Sequence, residues 1–444
     1  AINGPGSSYP GPGDVAVGSA LGDVNGDEID DYIIKSGDNI YVLLGRTGSY
    51  GARLDLSMLN NNEGFQINSG LPISGPANAL SSAGDVNGDG LSDIIIGKPF
   101  SDSLTGRAYV VYGKTDDDRQ SDTAYNNGAL DLGALANRNG ITINPPQGGS
   151  GTAIGCSVAS AGDFNGDGFD DIIIGASNAD PNGVTNAGES YLLFGAADGL
   201  GARPVLASLS SRNGFVINGS DPYDYSANAV SSAGDINNDG YDDIIIGAYG
   251  ADGKRGSSYV VFGKTDQARE QDDTYNSGNG SLNLADLNGR NGFVIRGIDA
   301  LDQSGWSVSG AGDLNNDGFD DILIGAPGFD NLGGSVTGQS YVVFGQSNAD
   351  RIADQTYNAD GDGDGHQGDS LDLSSLTDSN ADGSIGFAID AISKDDYNGG
   401  AASGAGDING DGYDDIIIGA KSGWGIGDST GIEGAGNSYV IFGK

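Results

Sequence analysis

Apolar residues in this chain come in short runs that recur in a fixed order. Small residues come first: ANALSSA from Ala77 to Ala83, CSVASA from Cys156 to Ala161 and SVSGA from Ser307 to Ala311. A β-branched run follows, as in Asp171-Ile-Ile-Ile-Gly175 and Asp415-Ile-Ile-Ile-Gly419. The third run is aromatic and aliphatic, Tyr109-Val-Val-Tyr-Gly113, with counterparts from Tyr41, Tyr191, Tyr259, Tyr341 and Tyr439. The fourth is Gly64-Phe-Gln-Ile-Asn68, with relatives at Gly140, Gly214, Gly292 and Gly386. Short runs bounded by Gly, Asn and Asp, four to a unit, predict the blades of a β-propeller. Side-chain size orders the strands. Blades crowd together near a central axis, so the small-residue strand is innermost. The Ile-rich strand is second, the Tyr-Val-Val-Phe strand third, and the Phe-x-Ile strand outermost. Apolar residues on both faces of the middle strands fit sheets covered on each side by neighbouring blades.

Between the first and second runs lies a polar stretch of nine residues, present six times. Positions one, three, five and nine are Asp, Asn, Asp and Asp. The copies are Asp23, Asn25, Asp27 and Asp31; Asp85, Asn87, Asp89 and Asp93; Asp163, Asn165, Asp167 and Asp171; Asp235, Asn237, Asp239 and Asp243; Asp313, Asn315, Asp317 and Asp321; and Asp407, Asn409, Asp411 and Asp415. Such spacing aims alternate oxygens at a common centre, the donor set of a hard divalent cation. The backbone carbonyl of position seven (Ile29, Leu91, Phe169, Tyr241, Phe319 or Tyr413) completes the predicted set. Position six is Gly in five copies and Glu28 in the first, which makes the first loop the weakest candidate. An EF-hand is excluded, because position twelve is an isoleucine within a strand instead of a glutamate. About six calcium ions are expected. Two further stretches, Asp360-Gly-Asp362-Gly-Asp364 and Asp378-Ser-Asn380-Ala-Asp382, have ligand spacing but lack the ninth ligand, so residues 360–382 could add more.

The expected architecture is all-β: one six-bladed propeller of four-stranded blades over residues 1–444. The repeats fall near 1–46, 64–114, 140–196, 214–264, 292–346 and 386–444. Loop spacings of 62, 78, 72, 78 and 94 residues leave no room for a hidden seventh unit; a seventh blade would require a repeat missing from this chain. The last repeat ends on its third strand, and Ala1-Ile-Asn-Gly4 resembles the end of an outer strand. Closure by strand exchange between the two termini is therefore expected. Acidic insertions near 114–130, 264–281 and 347–370 each end in Tyr-Asn (Tyr125, Tyr275, Tyr357) before a short Leu-x-Leu segment, as one insertion copied three times would. Strand alternation puts them on the face of the metal loops.

Charge and composition narrow the function. The net charge of −42 excludes nucleic acid as a partner, and no run is long enough to span a membrane. Six divalent ions would offset about twelve of those charges, so metal alone does not neutralise the chain. The single cysteine, Cys156, rules out an internal disulfide. The chain begins at Ala1 without Met or a recognisable leader, and a processed, secreted form is expected.

The unit Ser-Ala-Gly-Asp-x-Asn-x-Asp-Gly-x-x-Asp-Ile-Ile-Ile-Gly, ending in Tyr-Val-x-Phe-Gly, resembles the FG-GAP repeat of integrin α-chain propellers. Similar repeats occur in bacterial and cyanobacterial surface proteins and in a glycosylphosphatidylinositol-specific phospholipase. The resemblance covers nearly the whole chain. It implies an extracellular or cell-surface, calcium-binding propeller with the ion in the hairpin between first and second strands. It also implies the ligands Asp85, Asn87, Asp89 and Asp93 and their equivalents. Integrin propellers have seven blades, however, and metal in only some of them.

No catalytic constellation stands out. The only histidine, His366, lies in the acidic insertion, which argues against a Ser-His-Asp arrangement and against a multi-histidine metal centre. The expected role is adhesion or surface binding of a protein or glycan through the face opposite the metal loops. That face carries Tyr9, Phe100, Tyr223, Tyr225, Tyr249, Trp306, Phe329, Tyr397 and Trp424. The alternatives are a self-assembling structural protein and a glycan-active enzyme using a carboxylate pair.

Overall fold

A computed structural model describes residues 2–3, 18–36, 39–48, 54–56, 59–60, 62–68, 79–99, 105–126, 128–136, 138–146, 151–197, 199–200, 206, 209, 212–276, 281–331, 335–357, 369–377, 383–391, 396–420 and 436–444. They belong to two compact units. One comprises residues 1–160, 168–174 and 193–214, the other 161–167, 175–192 and 215–444.

In the first unit, Gly18–Gly22, Asp31–Ser36, Asn39–Leu43 and Gly64–Asn68 form one antiparallel sheet, and Leu80–Gly84, Asp93–Lys98, Arg107–Val111 and Gly140–Ile143 a second. The third sheet is built from Val158–Gly162, Asp171–Ala176, Glu189–Leu193 and Gly214–Asn218, residues divided between the units. In the second unit follow Ala229–Gly234, Asp243–Ala248, Ser257–Val261 and Gly292–Arg296, then Ser307–Gly312, Asp321–Ala326, Gln339–Val343 and Gly386–Asp390. The last sheet has Asn398–Gly406, Asp415–Ala420 and Asn437–Phe442. This is the six-bladed β-propeller arrangement, with strands in the order the run sizes predict. Repeat boundaries are offset from the sheets by one strand, because Gly64–Asn68, which opens the second repeat, pairs with Asn39–Leu43 of the first sheet.

Within the second unit the reason for small inner residues is visible. A Cβ on Gly310 would lie 2.9 Å from the Ser232 carbonyl oxygen, and one on Gly404 would lie 2.7 Å from that of Gly310. Inner strands of successive sheets therefore approach to backbone contact, which larger side chains would prevent. Further out, Ile245, Val260, Leu323 and Val342 are fully buried between sheets. The last sheet differs. Ile416 and Ile418 are buried against Leu323 and Val342, while Ile417, Val440 and Phe442 on the other face are 40%, 45% and 55% exposed.

Of the expected closure, the described residues show Ile2–Asn3 paired in parallel with Leu54–Asp55 and a last sheet of three strands. The pairing has a physical precedent in the same chain. Each insertion's Leu-x-Leu segment adds a parallel fifth strand to the outer strand of the preceding sheet. Ala129–Asp131 lies on Gly64–Asn68, Ser281–Asn283 on Gly214–Asn218, and Ser370–Asp372 on Gly292–Arg296. Ile2–Asn3 thus stands to Leu54–Asp55 as an outer strand does to its fifth strand.

The insertions also hold short helices, Asp116–Ser121, Asp266–Glu270 and Asn348–Ala353, started by Thr115, Thr265 and Ser347, whose hydroxyls accept a backbone N–H three residues on. Each carries one buried arginine, Arg119, Arg269 or Arg351.

Candidate metal centre

Each nine-residue loop begins at a β-bulge that ends the inner strand, seen in five of the sheets. The bulge places a glycine at positive φ immediately before position one, for example Gly312 at 68°. The first aspartate then folds the loop around itself. In the second loop Asp85 Oδ1 accepts the N–H of Gly88 at 2.7 Å and of Asp89 at 3.1 Å, and Oδ2 accepts that of Gly90 at 2.8 Å. Asp235, Asp313 and Asp407 accept equivalent bonds from positions five and six. The first loop forms the same turn despite Glu28. That residue takes φ 66°, close to the 85° of Gly90, and its N–H reaches Asp23 Oδ2 at 2.7 Å. A side chain in this region strains the turn without preventing it.

Position five accepts the N–H of position seven in the first, second, fourth, fifth and sixth loops. The Asn at position three touches a neighbouring carboxylate. Asn25 and Asn165 donate to Asp27 and Asp167, at 3.3 and 3.1 Å, and Asn87 and Asn237 donate to Asp93 and Asp243.

Position nine is the most buried member. Asp31, Asp93, Asp171, Asp243, Asp321 and Asp415 are all fully buried. In five loops the carboxylate accepts the N–H of position two. In all six it accepts the N–H of the glycine that follows the third strand's aromatic or leucine: Gly45, Gly113, Gly195, Gly263, Gly345 or Gly443. That carboxylate therefore ties the inner hairpin to the third strand. In the second and fourth loops the position-three Asn donates to this carboxylate as well.

The electrostatics oppose this placement. Burial foremost pushes the Asp93 carboxyl up to about 8, and the carboxylates of Asp89 and Asp85 push the same way. Asp321 rises to about 7, with Asp317 and Asp313 adding to burial, and Asp31 to about 6, with Asp27 and Asp23. Asp243 is held well above the carboxylate range by burial, Asp239 and Asp235. Positions one and five thus act on position nine in four loops. The buried Oδ1 atoms of Asn165 and Asn237 find no hydrogen-bond donor in the protein. Among the described residues no three Asp, Glu, His or Cys side chains are grouped tightly enough to hold an ion as they stand. The carboxylate oxygens are turned onto the loop's own amides instead. The stretches at 360–364 and 378–382, and His366, lie outside the described residues.

Sequence reasoning missed position eight. Asp170, Asp242, Asp320 and Asp414 each reach back to the preceding loop, where Oδ2 accepts the N–H of position one: Asp85 at 2.6 Å, Asp163 and Asp235 at 2.8 Å, and Asp313 at 2.9 Å. The backbone N–H of the same residue donates to that position's carbonyl. The signal was the Asp-Asp pair at positions eight and nine in five copies, with Ser92 in the second.

Of the aromatics expected on the opposite face, Tyr9, Phe100 and Trp424 lie outside the described residues. Tyr225 and Tyr249 stack at 5.4 Å, and Trp306 meets Tyr249 edge-on at 4.9 Å. Tyr223, Trp306 and Tyr397 are 56%, 38% and 38% exposed. Beside them Asp224 is buried and pushed up to about 7, first by burial and then by Asp221 and Asp252. A carboxyl raised on folding favours the folded state below its unfolded value near 4, and that contribution is lost as pH rises through about 7. Asp224→Asn is expected to melt above the parent at pH 8, with the gap closing by pH 4. A gap that does not change with pH would refute this.

Comparison with known proteins followed the same repeats. The FG-GAP repeat family matches residues 77–112, 157–193, 227–261, 304–343 and 396–441, which takes in the second to sixth loops. The chain is 27% identical to integrin alpha pat-2 of Caenorhabditis elegans over 297 residues, 64% of this chain and 20% of that one. It is 26% identical to integrin alpha-V of Gallus gallus over 255 residues, 56% of this chain and 20% of that one. It is 28% identical to phosphatidylinositol-glycan-specific phospholipase D of Bos taurus over 180 residues, 40% of this chain and 19% of that one. The chain thus spans at most a fifth of these relatives.

Proposed function

The chain carries five FG-GAP repeats, and from that premise we propose a calcium-braced propeller that works outside the cell as an adhesion or surface-binding component. What carries the reading is the crowded ninth carboxylate. Six fully buried aspartates occupy one repeat position, and in four loops two more carboxylates press on that group. Such an arrangement is costly without a compensating cation. Asp at positions one, five and nine, the Asn oxygen at three and the carbonyl at seven are the hard oxygen donors that calcium takes. The unclaimed Oδ1 atoms of Asn165 and Asn237 fit the same set. A bound ion would supply charge neutralisation and pin the hairpin, with no chemistry of its own.

Binding of a protein or glycan is assigned to the opposite face, where Tyr223, Trp306 and Tyr397 are exposed and Trp306 packs on the stacked Tyr225–Tyr249 pair. Calorimetric titration should count five or six calcium ions. A glycan and matrix-protein array should show retention lost on Trp306→Ala. Fewer than two ions, or an array without calcium-dependent retention, would overturn the reading. The open apolar face of Ile417, Val440 and Phe442 favours a second reading, self-assembly through the last sheet. A particle size that stays constant across concentration, with and without calcium, would exclude it.

A further inference from the structure

We propose that the position-eight aspartates make cation binding by neighbouring loops cooperative, so that filling one loop tightens the loop before it. The inference rests on the calcium reading above. In the second unit the fourth and fifth loops are joined by three bonds. Asp320 Oδ2 accepts the Asp235 N–H at 2.8 Å, the Asp320 N–H donates to the Asp235 carbonyl at 3.4 Å, and Asn238 Nδ2 donates to the Gly318 carbonyl at 3.0 Å. Asp235 is the residue on which the fourth loop is wound, since its carboxylate accepts the N–H groups of Asp239 and Gly240. Its own backbone is therefore fixed at both polar groups by a residue of the next loop.

That residue directly precedes Asp321, the ninth-position ligand of the fifth loop. Ordering Asp321 around an ion and ordering Asp320 against Asp235 are thus a single backbone event. Gly318 joins the same event, because its N–H is held by Asp313, the first ligand of the fifth loop, at 2.9 Å. Asp414 repeats the link between the sixth loop and Asp313 of the fifth, at 2.9 Å. The arms all point one way, each loop being braced by its successor, while the coupling they carry is reciprocal. It lacks its carboxylate arm at one place. Ser92 occupies position eight of the second loop, so there the carboxylate arm is missing while the bond from the Ser92 N–H to the Asp23 carbonyl remains.

The test is a calorimetric calcium titration of the full chain and three variants. Asp317→Ala removes an exposed ligand of the fifth loop and leaves Asp320 in place. Asp320→Ala removes the arm and no ligand, and Asp320→Asn keeps an acceptor oxygen. Coupled loops predict that Asp317→Ala loses one ion and weakens those of the two adjoining loops about fivefold or more, the low end of measured site-to-site couplings. Asp320→Ala should weaken the ions of the two loops it joins with the ion count unchanged, and Asp320→Asn should behave as the parent. If Asp317→Ala loses one ion and leaves every other affinity unchanged, the loops are independent and the coupling is wrong, while the calcium reading stands. A parent chain that takes up no calcium would overturn both.

Discussion

Chelating divalent cations is expected to lower the melting temperature by roughly 2–9 °C, and added calcium should restore it. Extracellular calcium modules bind at roughly 10⁻⁴–10⁻³ M, so calcium at about 1 mM contributes about 0.4–1.4 kcal/mol for each filled loop. Five or six loops give a total of roughly 2–8 kcal/mol. Spread over the large unfolding entropy of a chain this long, that is roughly 2–9 °C. The effect should be large because the loops brace the sheets themselves. Each ninth aspartate joins the inner hairpin to the glycine ending the third strand, so repulsion around it acts on the blade core. Magnesium, which demands a tighter octahedral shell, should restore less. Coincident melting curves in chelator and in calcium would refute the structural role.

Replacing Arg351 by Ala is expected to cost roughly 3–5 kcal/mol, read as a shift in the chemical denaturation midpoint. Arg351 is 1% exposed, and its guanidinium lies 4.8 Å from the ring centre of Phe262 and 4.9 Å from that of Phe293. It donates to the Gly289 carbonyl and to Asn348 Oδ1. Burial lowers it only to about 10, so it stays charged at neutral pH. Alanine would leave a cavity between two phenyl rings and free a buried carbonyl. Methionine fills the space without a charge to desolvate, and Arg351→Met should therefore lose much less. An alanine variant within about 1 kcal/mol of the parent would mean the insertion is not anchored there.

The strands and loops were legible in the sequence because both repeat at fixed distance from the Asp-x-Asn-x-Asp core, and repetition exposes a pattern. The small inner residues could be placed because Gly310 and Gly404 leave one physical option, backbone contact between sheets. Arg351, Arg269 and Arg119 were not legible. In an acidic insertion an arginine reads as a solvated partner for Asp, and only the fold brings Phe293, Phe215 and Phe65 beneath them. A Thr or Ser followed four residues later by Arg, in all three insertions, was the available signal. Asp320 was missed for a related reason: its partner lies 85 residues away, and a pattern read along one repeat carries no information about contacts between repeats. Ile2–Asn3 was placed by its resemblance to an outer strand, and its described partner, Leu54–Asp55, is the kind such strands have elsewhere in the chain.

The parallel strands Ala129–Asp131, Ser281–Asn283 and Ser370–Asp372 each complete a sheet other than the one whose loop carries them. The segment of chain that repeats is therefore not the segment that folds as a sheet. An expression truncation ending at Arg296 would strip the fourth sheet of its fifth strand, and the fourth loop would lose Asp320 as well. Tandem duplication meets the opposite situation. A copied repeat brings a strand already shaped for an upstream neighbour, and that neighbour already carries the matching Phe-x-Ile edge. Such an array can lengthen by whole repeats without a new interface having to arise.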